Sequence, residues 1–146
     1  MSLATFFAAH PATAQRWRRS FPGEAEQAAH VRRLVATLLP DCPYLDEVLL
    51  ATDELVVNAL RHTKSGQPGG AFIVEIGHCD DAVTVAVTDQ GGPTEPAVAD
   101  LDEYAESGRG LRTVAATATG WGWFGNDRAR VVTAVFAPGH SLWEIA

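Results

Sequence analysis

The stretch Asp53 to His62 reads DELVVNALRH, and within it Glu54, Asn58 and His62 recur at intervals of four residues. That interval stacks side chains along one face of a helix. Leu55, Val56, Ala59 and Leu60 stand among them and belong to a hydrophobic core. With Leu45, Val48, Leu49 and Thr52 they form a wide inner stripe, and Leu50 and Val57 make much of the opposite side apolar too. Only a narrow polar window remains, holding Glu47, Glu54, Asn58, Arg61 and His62. A carboxylate and an amide held beside apolar walls suit proton transfer and metal binding. The solvated face of an ordinary amphipathic helix would carry the same residue types, so the helix alone leaves both readings open.

Two further stretches carry chemistry. In VTVAVTD the alternation of a strand puts Val83, Val85 and Val87 on one face, and Asp89 continues their column. A carboxylate pointing where core residues point is costly unless donors meet it. The next residues, Gln90, Gly91, Gly92 and Pro93, let the chain turn sharply and approach something closely. An Asp before Gly-Gly also serves simply as a turn former. The third stretch is SGRGL, Ser107 to Leu111. Glycines at a helix N-terminus leave free N–H groups and a positive dipole end, a seat for phosphate, although a lone GxG is also an ordinary helix entry.

These residues must be positioned by the elements around them. QRWRRSF, Gln15 to Phe21, reads as a charged edge strand closed by Pro22 and Gly23. Glu24 to Leu39 carries Val31, Leu34, Val35, Leu38 and Leu39 on one helical face and stops at Pro40. The second helix runs from about Leu45 to Thr63, followed by the loop KSGQPGG. AFIVEIGH and AVTVAVTD flank the turn CDD as a hairpin. Gln90 to Ser107 has no sustained period and reads as a long loop of the functional kind. A helix opened by glycines (GRGLRTVAATAT) and two strands (GWGWFG and RVVTAVF) complete the order. The expectation is a single α+β domain over residues 1–146: a two-layer α/β sandwich whose mixed, mostly antiparallel sheet is covered by helices on one face. Residues 1–14 read as a loosely attached end.

Composition narrows the function classes. At 146 residues with 47% apolar content the chain fits one domain with a substantial core. Its 18 acidic and 11 basic residues leave a net charge of −7, which argues against a protein held on nucleic acid or anionic lipid. Cys42 and Cys79 lie far apart with no CxxC or Cys/His cluster, so neither zinc nor a disulfide framework is suggested and a reducing cytoplasm fits best. The apolar N-terminal run lacks a basic start and breaks at His10 and Pro11, too short for a signal or a membrane span. Trp121 and Trp123 read as strand residues packing on the helix layer, and Arg18 and Arg19 as solvated edge charges; either pair would also suit a homodimer interface.

In order and spacing, the ExxxN with a following His, the DxG after a core strand, the loop and the GxG opening a helix resemble the ATP-binding domain of the GHKL superfamily, which includes gyrase, histidine kinases and anti-sigma factor kinases. The likeness runs from about Phe21 to Phe136, and DELVVNALRHT and ESGRGLRTV look closest to the stand-alone bacterial anti-sigma serine kinases. The resemblance implies ATP and Mg²⁺ as cofactors. It implies that Glu54 is the general base and that Asn58 gives its carboxamide oxygen to Mg²⁺. Asp89 would accept the adenine exocyclic N–H, with Gly91 letting the backbone approach the base. Gly108, Arg109, Gly110 and Leu111 would bind phosphates through main-chain N–H groups, and Pro93 to Ser107 would form the lid. His62 matches the motif in a supporting role. Pro93 stands where the family's DxGxG carries its second glycine, which implies a stiffer lid. No separate phosphoacceptor helix with its histidine accompanies these motifs. The implied function is a serine/threonine kinase in a partner-switching pathway, with a sigma factor and a small anti-anti-sigma antagonist as partners. The alternatives are a non-catalytic ATP-binding regulator and a detached histidine-kinase-type ATPase domain.

Overall fold

Residues 15–79, 81–93, 95–96 and 109–137 are described by the computed structural model of the chain. The N-terminal segment 1–14, most of the expected lid and Gly108 therefore lie outside the described residues.

Strand β1 (Gln15–Pro22) leads through a short turn into helix α1 (Gln27–Leu38), and helix α2 (Leu45–His62) follows after the Pro40 to Tyr44 connection. A single 3₁₀ turn (Lys64–Gly66) precedes the hairpin of β2 (Ala71–Cys79) and β3 (Ala82–Asp89). Helix α3 (Arg109–Thr117), β4 (Gly120–Gly125) and β5 (Arg130–Phe136) end the described chain. The five strands form one sheet in the order β1-β2-β3-β5-β4. Every neighbouring pair is antiparallel, so the expected mostly antiparallel sheet contains no parallel pair among the described strands. Helix α1 begins three residues later than the periodicity of Glu24 to Leu39 suggests, because Glu24 to Gln27 is a turn in which Gln27 N–H donates to the Glu24 carbonyl at 3.0 Å.

The core lies between the sheet and the helices. Phe72, Val74 and Ile76 of β2, Val83, Val85 and Val87 of β3, and Val132, Ala134 and Phe136 of β5 share the helix-facing side by the period of two. They meet Val31 and Val35 of α1, Val48, Leu55, Val56 and Ala59 of α2, and Leu111 and Val114 of α3. Phe21 and Phe72 stack at 5.5 Å between ring centroids and close the β1 end. Trp121 and Trp123 are half-buried and pack against this core, as strand residues under a helix layer should. On the opposite face, Thr84 and Ala86 of β3 are fully buried as well, which explains why no position of that strand carries a charge until Asp89. The outer edge of β1 is charged, with Arg18 3.8 Å from Glu75 and Arg19 over the Phe21 ring at 5.1 Å. Arg32 and Asp53 join α1 to α2 at 2.6 Å on the exposed side.

This scaffold fixes α2 along the sheet with its C-terminal end beside the end of β3. Its half-buried row of Glu54, Asn58 and His62 lies between the apolar stripe and solvent.

Candidate functional site

Glu54 occupies the side of α2 that meets α3. A Cβ placed on Gly110 would stand 2.6 Å from Glu54 Oε2 and 3.5 Å from its Cβ and Cδ, so the carboxylate rests against the first turn of α3. The first N–H groups of any helix have no partner within the helix, and that end carries the positive pole of its dipole. Gly110 is helical, and its lack of a side chain is what lets the two elements approach at this point. The Glu54 carboxyl is pushed above the ordinary carboxylate range by burial first and by neighbouring Asp53 second, while Arg61 opposes the shift. A carboxylate raised in this way is better matched to accepting a proton near neutral pH. Asn58 follows one turn later and His62 one turn after that, both half-buried.

The second part of the site is the corner after β3. Asp89 is 3% exposed, in line with its place in the valine column. Its Oδ1 accepts the Gly91 N–H at 2.7 Å, so the inward-pointing carboxylate and the turn former are one and the same residue. Burial pushes its carboxyl upward, opposed by the Gly91 N–H bond and by Arg130. Gly91 sits at φ +74, and a Cβ there would lie 2.3 Å from the Asp127 carbonyl atoms. Glycine is thus required here by the β4–β5 turn packing onto the loop, a reason internal to the protein beside the expected approach to a base.

This corner is tied to the end of α2. Lys64 N–H donates to the Gly91 carbonyl at 2.8 Å, and Gln90 N–H donates to Ser65 Oγ at 2.9 Å. The Gln90 side chain in turn accepts the Ala71 N–H at 2.9 Å. Ser65 N–H bonds Thr63 Oγ1, whose hydroxyl donates to the Ala59 carbonyl at 2.6 Å. Gly92 lies so near α2 that a Cβ would stand 2.7 Å from the His62 carbonyl oxygen. Through these bonds α2 links both halves: its middle meets the start of α3 at Glu54, its last turn meets the Asp89 corner, and Asn58 stands one turn from each.

Among the other expected site residues, Leu111 is 1% exposed and belongs to the core, which leaves only its main chain for a ligand. Arg109 opens α3, as the glycine-led helix entry suggests. Gly108 and the lid fall outside the described residues. The residue that motif reading passes over is Arg130, buried at 3% exposure at the start of β5, with Nη2 donating to the Gly92 carbonyl at 2.6 Å. Its only signal in the sequence is a cation heading the otherwise apolar RVVTAVF. Cys42 and Cys79 form no disulfide and lie outside this site. No helix among the described residues is long and apolar enough to cross a membrane.

A half-buried carboxylate thus lies against a helix N-terminus, an amide follows on the same row, and a buried carboxylate stands at the neighbouring strand end. The family model of the histidine kinase-like ATPase domain matches residues 21–135, well over half of the chain, and the protein belongs to that family. No curated protein matches the sequence.

Proposed function

We propose that the chain binds Mg²⁺-ATP between α2, the Asp89 corner and the start of α3, and that it is a protein serine/threonine kinase acting on a small antagonist protein in a partner-switching pathway. The observation that carries this reading is the Glu54 carboxylate lying against Gly110 at the head of α3. A base and a phosphate-binding helix end are thereby adjacent, as phosphoryl transfer to a hydroxyl requires.

The donor set suits the cofactor. Asn58 offers a neutral carboxamide oxygen of the kind Mg²⁺ accepts, and among the described residues no three His, Cys, Asp or Glu side chains converge to hold a metal by themselves. Bound Mg²⁺ would neutralise phosphate charge and need phosphate oxygens to complete its shell. Asp89 accepts the exocyclic amine of adenine. Arg109, Gly110 and Leu111 offer main-chain N–H groups to the phosphates, as does Gly108 by the motif. Glu54 takes the proton of the serine hydroxyl while its oxygen bonds to the γ-phosphorus; the bond from that phosphorus to the bridging oxygen breaks and ADP leaves.

The sigma factor and the antagonist domain as partners, and the cytoplasm as location, follow from the likeness of DELVVNALRHT and ESGRGLRTV to the anti-sigma kinases. Two cysteines outside any disulfide suit a reducing compartment. A non-catalytic ATP-binding regulator is the second reading, favoured by Pro93 at the family's glycine position. A detached ATPase domain serving a separate histidine phosphoacceptor fits the family match equally well. Incubation with γ-labelled ATP and small antagonist domains from the same genome separates the three. Serine label lost in Glu54→Ala with ATP binding retained supports the kinase. ATP binding without label leaves the regulator, and an acid-labile label on histidine favours the detached domain.

A further inference from the structure

Asp89 and Arg130 are partners across the β3–β5 ladder, and each is 3% exposed. From that position Arg130 Nη2 donates to the Gly92 carbonyl at 2.6 Å, three residues past Asp89 along the corner. A Cβ on Gly92 would lie 3.2 Å from the same nitrogen, so the guanidinium is packed directly under the turn. A buried carboxylate is costly unless it is met by donors or charge. Here the Gly91 N–H and the Arg130 charge are the two influences that favour its ionised form against burial. A planar guanidinium with several donors can hold a carbonyl with one nitrogen while presenting its charge to a neighbouring carboxylate.

We propose that Arg130 is a positioning residue for base recognition: it fixes the Asp89-Gly92 turn and keeps Asp89 an acceptor, which selects a purine bearing an exocyclic amine over one bearing a 6-oxo group. The proposal rests on the ATP-site reading above and adds the residue on which its specificity depends. The chemistry is direct. An ionised Asp89 only accepts, so it pairs with the 6-amino group of adenine and repels the 6-oxo group of hypoxanthine. A protonated Asp89 could donate to that oxygen, and the discrimination would narrow.

Among the described residues, other charged groups near this corner are few. Lys64 bonds Gly91 through its main chain and places Nζ 3.5 Å from the Asp127 carbonyl. His62 reaches Gly92 through its carbonyl, and Asp127 and Arg128 approach Gly91 through their backbone with exposed side chains. Arg130 is the one that shares both the ladder position and the burial of Asp89.

The test measures affinity for Mg²⁺-ATP and Mg²⁺-ITP by calorimetry between pH 5 and 8, on wild type, Arg130→Met, Arg130→Lys, Asp89→Asn and the Asp89→Asn/Arg130→Met double variant. Carboxyl NMR of the nucleotide-free protein follows the Asp89 titration in parallel. Arg130→Met is expected to weaken ATP about ten-fold, to narrow the ATP/ITP ratio and to move the Asp89 titration to higher pH. In the Asp89→Asn background the same change should alter ATP affinity less than about two-fold, because the residue through which Arg130 acts is gone. Arg130→Lys, which keeps the charge and guards against a folding defect in the Met variant, should leave the Asp89 titration near wild type while giving an intermediate ATP affinity. An unchanged ATP/ITP ratio with an unmoved Asp89 titration, or equal losses in both backgrounds, overturns the proposal. Failure of the wild type to bind either nucleotide instead overturns the ATP-site reading and the selectivity built on it.

Discussion

Gly110→Ala is the substitution on which structure and mechanism make opposite demands. For stability the change is benign or favourable. Gly110 is helical, and replacing a helical glycine with alanine gains about 0.5–1 kcal/mol, with the low end appropriate to a first turn. The added methyl would stand 2.6 Å from Glu54 Oε2 yet 3.5 Å from the Glu54 Cβ and Cδ, so only the tip of that side chain must move. Driving it off its rotamer costs about 0.5–1.5 kcal/mol. The two effects nearly cancel, and Gly110→Ala should lie within about 1 kcal/mol of wild type in urea denaturation. In a Glu54→Ala background the clash is gone and the same substitution should stabilise by the full 0.5–1 kcal/mol or so, a coupling of about 0.5–1.5 kcal/mol between the sites. Function should behave quite differently. If Glu54 is the proposed base, displacing it by an ångström costs on the order of a hundred-fold in transfer, whereas the main-chain N–H of residue 110 would stay available to phosphate. Phosphorylation of the antagonist should therefore collapse in a protein of near wild-type stability. Equal effects of Gly110→Ala in both backgrounds would mean that Glu54 does not rest on α3, and full transfer activity in the single variant would mean that the position of Glu54 is irrelevant to the chemistry.

Three further outcomes are expected. Gly91→Ala combines a left-handed backbone with a Cβ 2.3 Å from the Asp127 backbone, so it should cost about 2–4 kcal/mol in thermal or urea unfolding, whereas Gly69→Ala, at φ +80 with nothing within 4 Å, should cost only about 1 kcal/mol. Glu54→Gln removes a carboxyl whose folded-state pKa is raised, a group whose favourable contribution is present at low pH and is lost as pH rises through the raised value; the variant should be at least as stable as wild type at pH 7, with the advantage shrinking as pH falls through the carboxylate range in pH-dependent melts. Asn58→Ala should lower Mg²⁺-dependent ATP affinity and phosphoryl transfer together, unlike Glu54→Ala, and a calorimetric titration with and without Mg²⁺ checks it.

Much of this was legible because the relevant signals are local. The stripe of α2 and the alternation of β3 follow from periodicity, and Asp89 is buried because it continues the column of Val83, Val85 and Val87. The edge charges of β1 and the half-buried Trp121 and Trp123 likewise follow from strand pattern and composition. What stayed hidden depends on partners remote in sequence. Arg130 meets Asp89 only because β5 pairs with β3, and nothing in RVVTAVF announces that register. Gly91 could be expected to serve a close approach, but that the approaching atoms are those of the Asp127 turn follows from tertiary packing. The contact of Gly110 with Glu54 has the same origin: each residue belonged to a motif, and the folded helices decide that the motifs touch. The start of α1 moved because Glu24 to Gln27 closes a turn that a helical hydrophobic pattern cannot distinguish from a first helical turn.

If α2, the Asp89 corner and the head of α3 form one ATP site, isothermal titration of Mg²⁺-ATP into wild type and Asp89→Asn will reveal it. Wild type should bind one equivalent. The variant loses the carboxylate proposed to accept the adenine N–H, so its affinity should fall about ten- to a hundred-fold, the equivalent of about 1.5–3 kcal/mol for a charge-assisted hydrogen bond. Equal affinity in the two proteins would remove Asp89 from the site, and no binding by wild type would mean that these three elements form no ATP site.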